Sequence, residues 1–363
     1  MNFRSAYLPY AQTGAYTAIV LDYLRQEERL RPFFSHTPDI EGIRNAIADR
    51  KKIKTDRVLL VNELRNQYRD LPQQPKVNEH IDLLLQENTF SITTAHQPNI
   101  FTGHLYFLYK ILHAIKLAEE LKQALPDCNF VPVFYMGSED ADLDELGQVS
   151  IGGEGYRWET AQKGAVGRMK VDKAIVQMME DISGQLLIHP HGQEIMALMK
   201  DCYTPGASIQ DATLKLVHAL FGEYGLLVLM PDNANLKRAF NPIVEKELLE
   251  QFSHKAVAET VAAFPETYKV QAAGRDLNLF YFKDDLRERF VQNGDTYLVS
   301  NTRLSFTKEA ILQELEEHPG RFSANVILRP LFQEMILPNI AFIGGGEEFS
   351  LRCRMRHKNG HWV

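Results

Sequence analysis

Apolar and polar positions change period several times along the chain. Residues 16–30, 39–48, 55–68 and 77–86 repeat apolar positions with helical spacing, interrupted at Pro32 and at "LPQQPK" from Leu71, so the chain opens with a helical lead-in. Residues 91–95 are then β-prone, 96–103 form a polar loop, and 104–125 place Leu105, Leu108, Leu112, Ile115 and Ala118 on one helical face. The β-branched and aromatic run "NFVPVFYM", 129–136, predicts a buried parallel strand beside 91–95. The pattern loosens over 151–203, a strand-rich excursion followed by a helical piece at 174–185. A helix at 208–221 and a third core strand in "YGLLVLMPD" follow, then one long helix over 236–263 that stops before Pro265. Residues 270–299 read as short strands with turns at Gly274 and Gly294 and a charged helical fragment, "DDLRERF". A helix at 308–317, an apolar helix carrying Arg329, and the strand "NIAFIGGG" complete the pattern.

These elements predict an α/β protein with a parallel-sheet core. The expected division is 1–150 (helical lead-in and first part of the core), 151–205 (insertion), 206–265 (core continued), 266–322 (a smaller connecting domain), 323–348 (final core segment with a Gly-rich loop) and 349–363 (an atypical basic tail). The tail "FSLRCRMRHKNGHWV" lacks acidic residues and a helical period, so it is expected to be poorly ordered.

Bulk properties narrow the function. With 363 residues, 45% of them hydrophobic, the chain can bury a large core, and a net charge of -7 disfavours nucleic acid and anionic lipid as partners. No apolar run approaches a membrane span and the first ten residues lack a signal-peptide core, so a cytoplasmic location is expected. Cys128, Cys202 and Cys353 are far apart without CxxC or nearby histidine spacing, which indicates neither a disulfide framework nor a metal site.

The chemistry-bearing residues gather where strands give way to loops. In open α/β sheets ligands bind at the carboxyl ends of the strands, which puts His96, Gln97, Asn99, Thr102, Gly103 and His104 at such an edge. The plainer reading is an ordinary loop in which Thr102 caps the helix. Glu139, Asp140, Asp142, Asp144 and Glu145 crowd the end of the next strand, suited to a metal, to general-base work or to an ammonium group, or else to capping a helix. Asp232 and Asn233 end the third strand, where a simple turn is the alternative. Near the C-terminus, Asn325 lies in a polar loop, Arg329, Gln333 and Glu334 on the following helix, and Gly344 and Gly345 in the Gly-rich loop. Arg329 fits a carboxylate or phosphate, or a salt bridge to Glu334 or to the acidic loop.

Three segments in order, "TTAHQPNIFTGHLYFLYK", "VPVFYMGSEDADLDEL" and "NVILRPLFQEMILPNIAFIGGG", resemble the BshC family, the cysteine ligases of bacillithiol biosynthesis, and the likeness runs from Leu30 to Gly346. The resemblance implies a Rossmann-like core similar to class I nucleotidyltransferases, a connecting domain and a coiled coil that makes dimers. It also implies a last pathway step that adds L-cysteine to glucosaminyl malate. On that reading His96, Asp140, Asp142 and Arg329 are the expected catalytic residues; Gln97, Asn99, Thr102, Gly103, His104, Glu139, Asp232, Asn325, Gln333, Glu334, Gly344 and Gly345 bind substrate; and no metal ligand is assigned. The cofactor is left open, with ATP or another nucleotide as the activating group. "FTGHL" is similar to the HxGH signature of nucleotidyltransferases with Phe101 in place of the first histidine, whereas relatives usually have Pro at the position of His104. Family members continue after the Gly-rich loop with a "GEIAYW"-type helix and the coiled coil. The ending here predicts a truncated or frameshifted product without the dimerising segment. Two rivals accompany the ligase reading: a nucleotidyltransferase acting on another small carboxylate, and a binding scaffold without catalysis.

Overall fold

The computed structural model describes residues 6–268 and 274–354. Five helices lead in: α1 (Tyr10–Thr13), α2 (Ala18–Leu24), α3 (Ile40–Arg50), α4 (Arg57–Tyr68) and α5 (Pro75–Leu83). Then come β1 (Thr89–His96), α6 (Leu105–Ala124), β2 (Asn129–Met136), the single turn α7 (Leu143–Leu146), the hairpin β3 (Gln148–Ile151) and β4 (Glu154–Arg157), and helices α8 (Lys173–Leu186), α9 (Gly192–Cys202) and α10 (Ile209–Phe221). β5 (Leu227–Leu229), α11 (Ala234–Glu250) and α12 (Phe252–Ala263) precede a run of strands: β6 (Leu279–Lys283), β7 (Leu286–Asn293), β8 (Thr296–Val299) and β9 (Ser305–Phe306). The described chain ends with α13 (Lys308–Glu317), β10 (Phe322–Ala324), α14 (Arg329–Ile336), β11 (Asn339–Ile343) and α15 (Gly346–Arg354).

Among the described residues the core is a four-stranded, all-parallel sheet in the order β11-β1-β2-β5. The fold is Rossmann-like, as expected. Ile92, Val131, Phe134 and Val228 are fully buried, as strands covered on both faces require. Helix α6 supplies one cover, with Phe107, Ile111 and Ile115 in the large apolar core and Ala114 and Ala118 against Phe90 and Ile92. The polar positions of β1 are buried too, and each is bonded. Thr93 donates to Asn339 Oδ1 at 2.7 Å and Thr94 to the Ile343 carbonyl at 2.9 Å, so buried hydroxyls fix the register of β11 against β1.

A second core forms around Trp158, with Met178, Met179, Met196, Met199 and Tyr203 from the hairpin-and-helix excursion, and it takes in Ile100 and Phe101 from the loop after β1. The connecting region forms a five-stranded antiparallel sheet, β10-β6-β7-β8-β9. Its strands begin beyond residues 269–273, which fall outside the described set, as do 355–363 of the tail.

Four expectations need correction. The helix expected over 16–30 is limited to α2, followed by a 3-10 turn over Glu28–Phe33 that contains Pro32. The fragment "DDLRERF" is strand β7: Asp284 takes a positive φ of 50° in the turn from β6, and the chain pairs on both sides, which overrides the helix propensity of its charged residues. The stretch after residue 349 is not a patternless tail through residue 354. Helix α15 spans Gly346–Arg354, Cys353 is buried with Ile19 and Leu30, and Phe349 stacks on Tyr23 at 4.4 Å. The long helix over 236–263 is two helices, broken at Gln251 with φ 51°.

That break is held by a carboxylate. Glu247 is fully buried and accepts from the Ser253 hydroxyl (2.7 Å), the Ser253 N–H (3.1 Å) and the Asn278 N–H (2.9 Å), so it caps α12 and ties it to the start of β6. Glu247→Ala would orphan all three donors and should destabilise the protein by more than ~3 kcal/mol in urea unfolding. A loss under ~1 kcal/mol would refute this role.

Candidate active site at the carboxyl edge of the sheet

Two polar groups sit at the carboxyl edge on either side of the end of β1, because successive strand residues point to opposite faces. His96 turns toward α6. Its Nδ1 lies 3.0 Å from the Gln97 carbonyl and its Nε2 2.8 Å from the Tyr106 hydroxyl, and its ring packs edge-on against Phe107. A carbonyl only accepts, so Nδ1 carries the proton and Nε2 accepts from Tyr106. Burial lowers the His96 pKa below its ordinary 6.5, opposed by its bond to the Gln97 carbonyl and reinforced by the Lys110 charge, so the ring is neutral at pH 7. His104 stacks on the Tyr106 ring at 5.6 Å and is exposed.

Lys110, one turn further along α6, donates to the Ala95 carbonyl (3.0 Å) and to Glu348 Oε2 (2.7 Å). The same carboxylate oxygen accepts from the Gly345 N–H at 2.6 Å. The Gly344–Gly345 turn is therefore clamped to α6 through the first turn of α15, as in a capping box.

The loop between β1 and α6 is strained. Phe101, Thr102 and Gly103 have φ of 52°, 74° and 61° in succession. A positive φ is costly for Phe and more so for β-branched Thr. The conformation is fixed from the second core, where the Phe101 N–H donates to the Tyr203 hydroxyl at 3.0 Å and the two rings pack at 4.8 Å. Glycine is required at 103, since a Cβ there would lie 2.6 Å from the Asn99 Cβ. Thr102 does not cap α6. The N-cap is His104, whose side chain makes no capping bond, so among the described residues the start of this 20-residue helix is left open. Asn99, 2% exposed and pressed against Gly103 just ahead of that helix, has no hydrogen-bond partner on either amide atom among the described residues.

On the other side of β1, Gln97 Cγ, Asp140 Oδ2 and Arg329 Nη1 each lie 3.6 Å from the point a Cβ on Gly137 would occupy. Arg329, on α14, holds Asp140 bidentately at 2.9 and 2.5 Å, and Arg287 of β7 approaches the same carboxylate at 3.5 Å while lying over the Phe280 ring. Burial would raise the Asp140 pKa, but the Arg329 charge and its hydrogen bonds, with Arg287 and Gln97, hold it below the usual carboxylate range. A carboxylate so held anchors guanidinium groups and is a weak proton acceptor. Among the described residues His96 makes no direct bond to this pair; its partners are the Gln97 carbonyl and Tyr106 and Phe107 of α6, and Gln97 links the two groups.

The remaining acidic residues separate. Glu139 pairs with Lys237, which also meets Asp232 at 2.9 Å, and Asp232 accepts two bonds from Arg168 at 2.6 and 2.7 Å. Asp232 is only 4% exposed and committed to two cations; burial pushes its pKa up, but Lys237 and Arg168 bring it to about 2. Asp142 is exposed and starts α7 without a side-chain bond, and Asp144 pairs with Arg157. Asn325 bonds Asn278 and the Ile327 N–H, fixing the approach to α14. Gln333 and Glu334 lie in a buried network with Asn339 and Arg352 under the face of β11, where burial raises the Glu334 pKa. Tyr106, Lys110, Glu348 and Arg287, the partners that give His96, Gly345 and Asp140 their settings, were absent from the sequence reading. Tyr106 lies off the apolar repeat of α6, on its exposed side, and Arg287 in a misread segment, so no local signal marked them. Among the described residues no three His, Cys, Asp or Glu side chains are grouped to hold a metal ion, and no helix is long and apolar enough to cross a membrane.

The comparisons with known proteins fit this architecture. Residues 3–357 match the family model described as bacillithiol biosynthesis BshC, N-terminal Rossmann-like domain. The chain belongs to the BshC family. It is 41% identical over 345 residues to a protein of Flavobacterium johnsoniae named "Putative cysteine ligase BshC", covering 94% of this chain and 65% of that protein. A protein of the same name from Cytophaga hutchinsonii is 41% identical over 342 residues, covering 94% of this chain and 63% of the relative, and one from Natranaerobius thermophilus is 29% identical over 353 residues. The chain thus spans less than two thirds of the length of these relatives.

The ion network makes acid stability a test. Asp232 titrates lower folded than unfolded, so its contribution is complete above pH ~4 and is lost as pH falls toward 2. Asp232→Asn should cost ~3–5 kcal/mol at pH 7, because Arg168 and Lys237 lose their shared partner, and should flatten the decline between pH 4 and 2. Urea unfolding across that range checks both, and wild-type stability in the variant would refute the network's importance.

Proposed function

We propose that this chain carries the activation and amide-forming site of a cysteine ligase, joining the carboxyl group of L-cysteine to the amine of glucosaminyl malate as the last step of bacillithiol biosynthesis. Family membership supports the reaction class. The observation that carries the site is the neutral His96, backed by a carbonyl and turned through Tyr106 toward the open start of α6.

A carboxylate is a poor acyl donor, so the cysteine carboxyl first attacks a phosphorus of a nucleoside triphosphate, ATP as the co-substrate, giving an acyl-adenylate with loss of pyrophosphate or an acyl-phosphate with loss of the diphosphate. The amine then attacks the acyl carbon, a proton leaves the nitrogen, and AMP or phosphate departs. Backbone N–H groups at the start of α6 and the Asn99 amide suit the phosphoryl oxygens. His96 takes the amine proton through the Tyr106 hydroxyl, because its Nε2 lone pair already accepts from that group. Arg329, steadied by Asp140, faces the malyl carboxylates. The locked Asp140 favours His96 over the acidic loop as the base.

Bacillithiol formation from glucosaminyl malate, L-cysteine and ATP, followed by mass spectrometry, tests the reaction. His96→Ala should lower the rate by ~100-fold or more and Tyr106→Phe by a smaller factor, while His104→Ala leaves it within about two-fold. Since the base must be neutral and its pKa is lowered, the rate should hold constant from pH 8 down to 6.5 and fall only in more acid solution. Full activity in His96→Ala would remove the proposed base. Binding of the substrates without any product would select the scaffold reading.

A further inference from the structure

Away from the sheet edge, a cavity of about 370 Å³ opens between α11, the β6–β7 turn and the loop before β10. Four cationic side chains line it from four separate segments: Arg168, Arg238, Lys283 and Arg321. Two carboxylates, Asp284 and Glu317, share the wall. In a chain of net charge -7 this local excess of positive charge runs against the whole. The volume is on the scale of a small-molecule site, of order 300–1,000 Å³.

Three of the four cations are held in place. Arg168 spends Nε and Nη2 on Asp232 and the Gly320 carbonyl and lies over the Phe282 ring at 4.9 Å. Arg321 spends Nη1 on Glu314 at 2.6 Å, and Arg238 spends Nη1 on the Glu316 carbonyl at 2.9 Å. Arg168 is held along its Nε–Nη2 edge, Arg321 by Glu314 and Tyr281, and Arg238 through Nη1. Donors converging from four directions match a tetrahedral, many-oxygen head better than a planar carboxylate, which one fork can satisfy. Ion pairs run from Arg168 in this wall through Asp232 and Lys237 to Glu139, the residue before Asp140.

We propose that this cavity is a second, separate binding site for a phosphoryl-bearing small anion, contacted by Arg168, Arg238, Lys283 and Arg321. Its existence does not depend on the ligase reading. Calorimetric titration of the chain with inorganic pyrophosphate at low salt tests it, with succinate as the carboxylate control. Pyrophosphate should bind, and the double variant Arg238→Ala/Lys283→Ala, both of whose residues lie at the surface, should weaken that binding by about ten-fold or more. Asn99→Ala, beside the start of α6 where the ligase reading puts phosphoryl oxygens, should leave the same binding component within about two-fold, separating it from any binding at the sheet edge. The proposal is overturned if pyrophosphate gives no binding at millimolar concentration, if the double variant binds as wild type does, if Asn99→Ala alone abolishes binding, or if succinate binds as tightly.

Discussion

Asp140 and Arg329 are 189 residues apart in sequence and meet in a two-bonded ion pair whose side chains are 16% and 23% exposed. Neither charge tolerates that burial alone, and the removal of one would strand the other at a cost of several kcal/mol. The pair therefore requires α14 to stand beside the loop that follows β2. That placement delivers β11 to the free edge of β1, and with it the glycine turn and α15. Arg287 adds the connecting sheet to the same carboxylate. One ion pair thus joins the early core strands, the late core strand and the domain between them.

The same geometry divides the chemistry. On one side of β1, charge is paired with charge: Asp140 with two arginines, and Glu139 and Asp232 with Lys237 and Arg168. Groups so paired hold the shape of this edge, and the proposed reading has Arg329 orient substrate carboxylates. On the other side, His96 is desolvated without a carboxylate bonded to its ring, so it stays neutral and retains a lone pair for proton transfer. The proposed base and the proposed anion-orienting cation are thereby kept from neutralising one another, although His96 ends β1 and Arg329 bonds the loop after β2 beside it.

The parallel sheet could be read from the sequence because its strands are continuous apolar or β-branched runs; β2 matches the expected 129–136 and α6 the expected helix within a residue. What escaped was set by distant contacts. The break at Gln251 has no Gly or Pro to announce it and depends on Glu247 meeting Asn278. Strand β7 is rich in Arg and Glu, and only its two pairing partners make it a strand. Helix α9, with Met196, Met199 and Cys202 buried, follows His-Pro-His-Gly and was absorbed into the loosely patterned excursion. At the site, strand-end position marked His96 and Asp140 and a helix start marked Arg329, yet His96 bonds Tyr106 of α6 while Asp140 bonds Arg329 of α14, a division that a list of loop residues does not reveal.

The central claim is that chemistry occurs at the carboxyl edge of β1, between the open start of α6 and the Arg329 guanidinium. A crystal structure with glucosaminyl malate, L-cysteine and a non-hydrolysable ATP analogue measures this most directly. The account predicts phosphoryl oxygens at the first turn of α6 beside Asn99, the amine within hydrogen-bond reach of Tyr106, and malyl carboxylates on Arg329. Substrates bound away from β1, with Tyr106 and Arg329 both untouched, would contradict it.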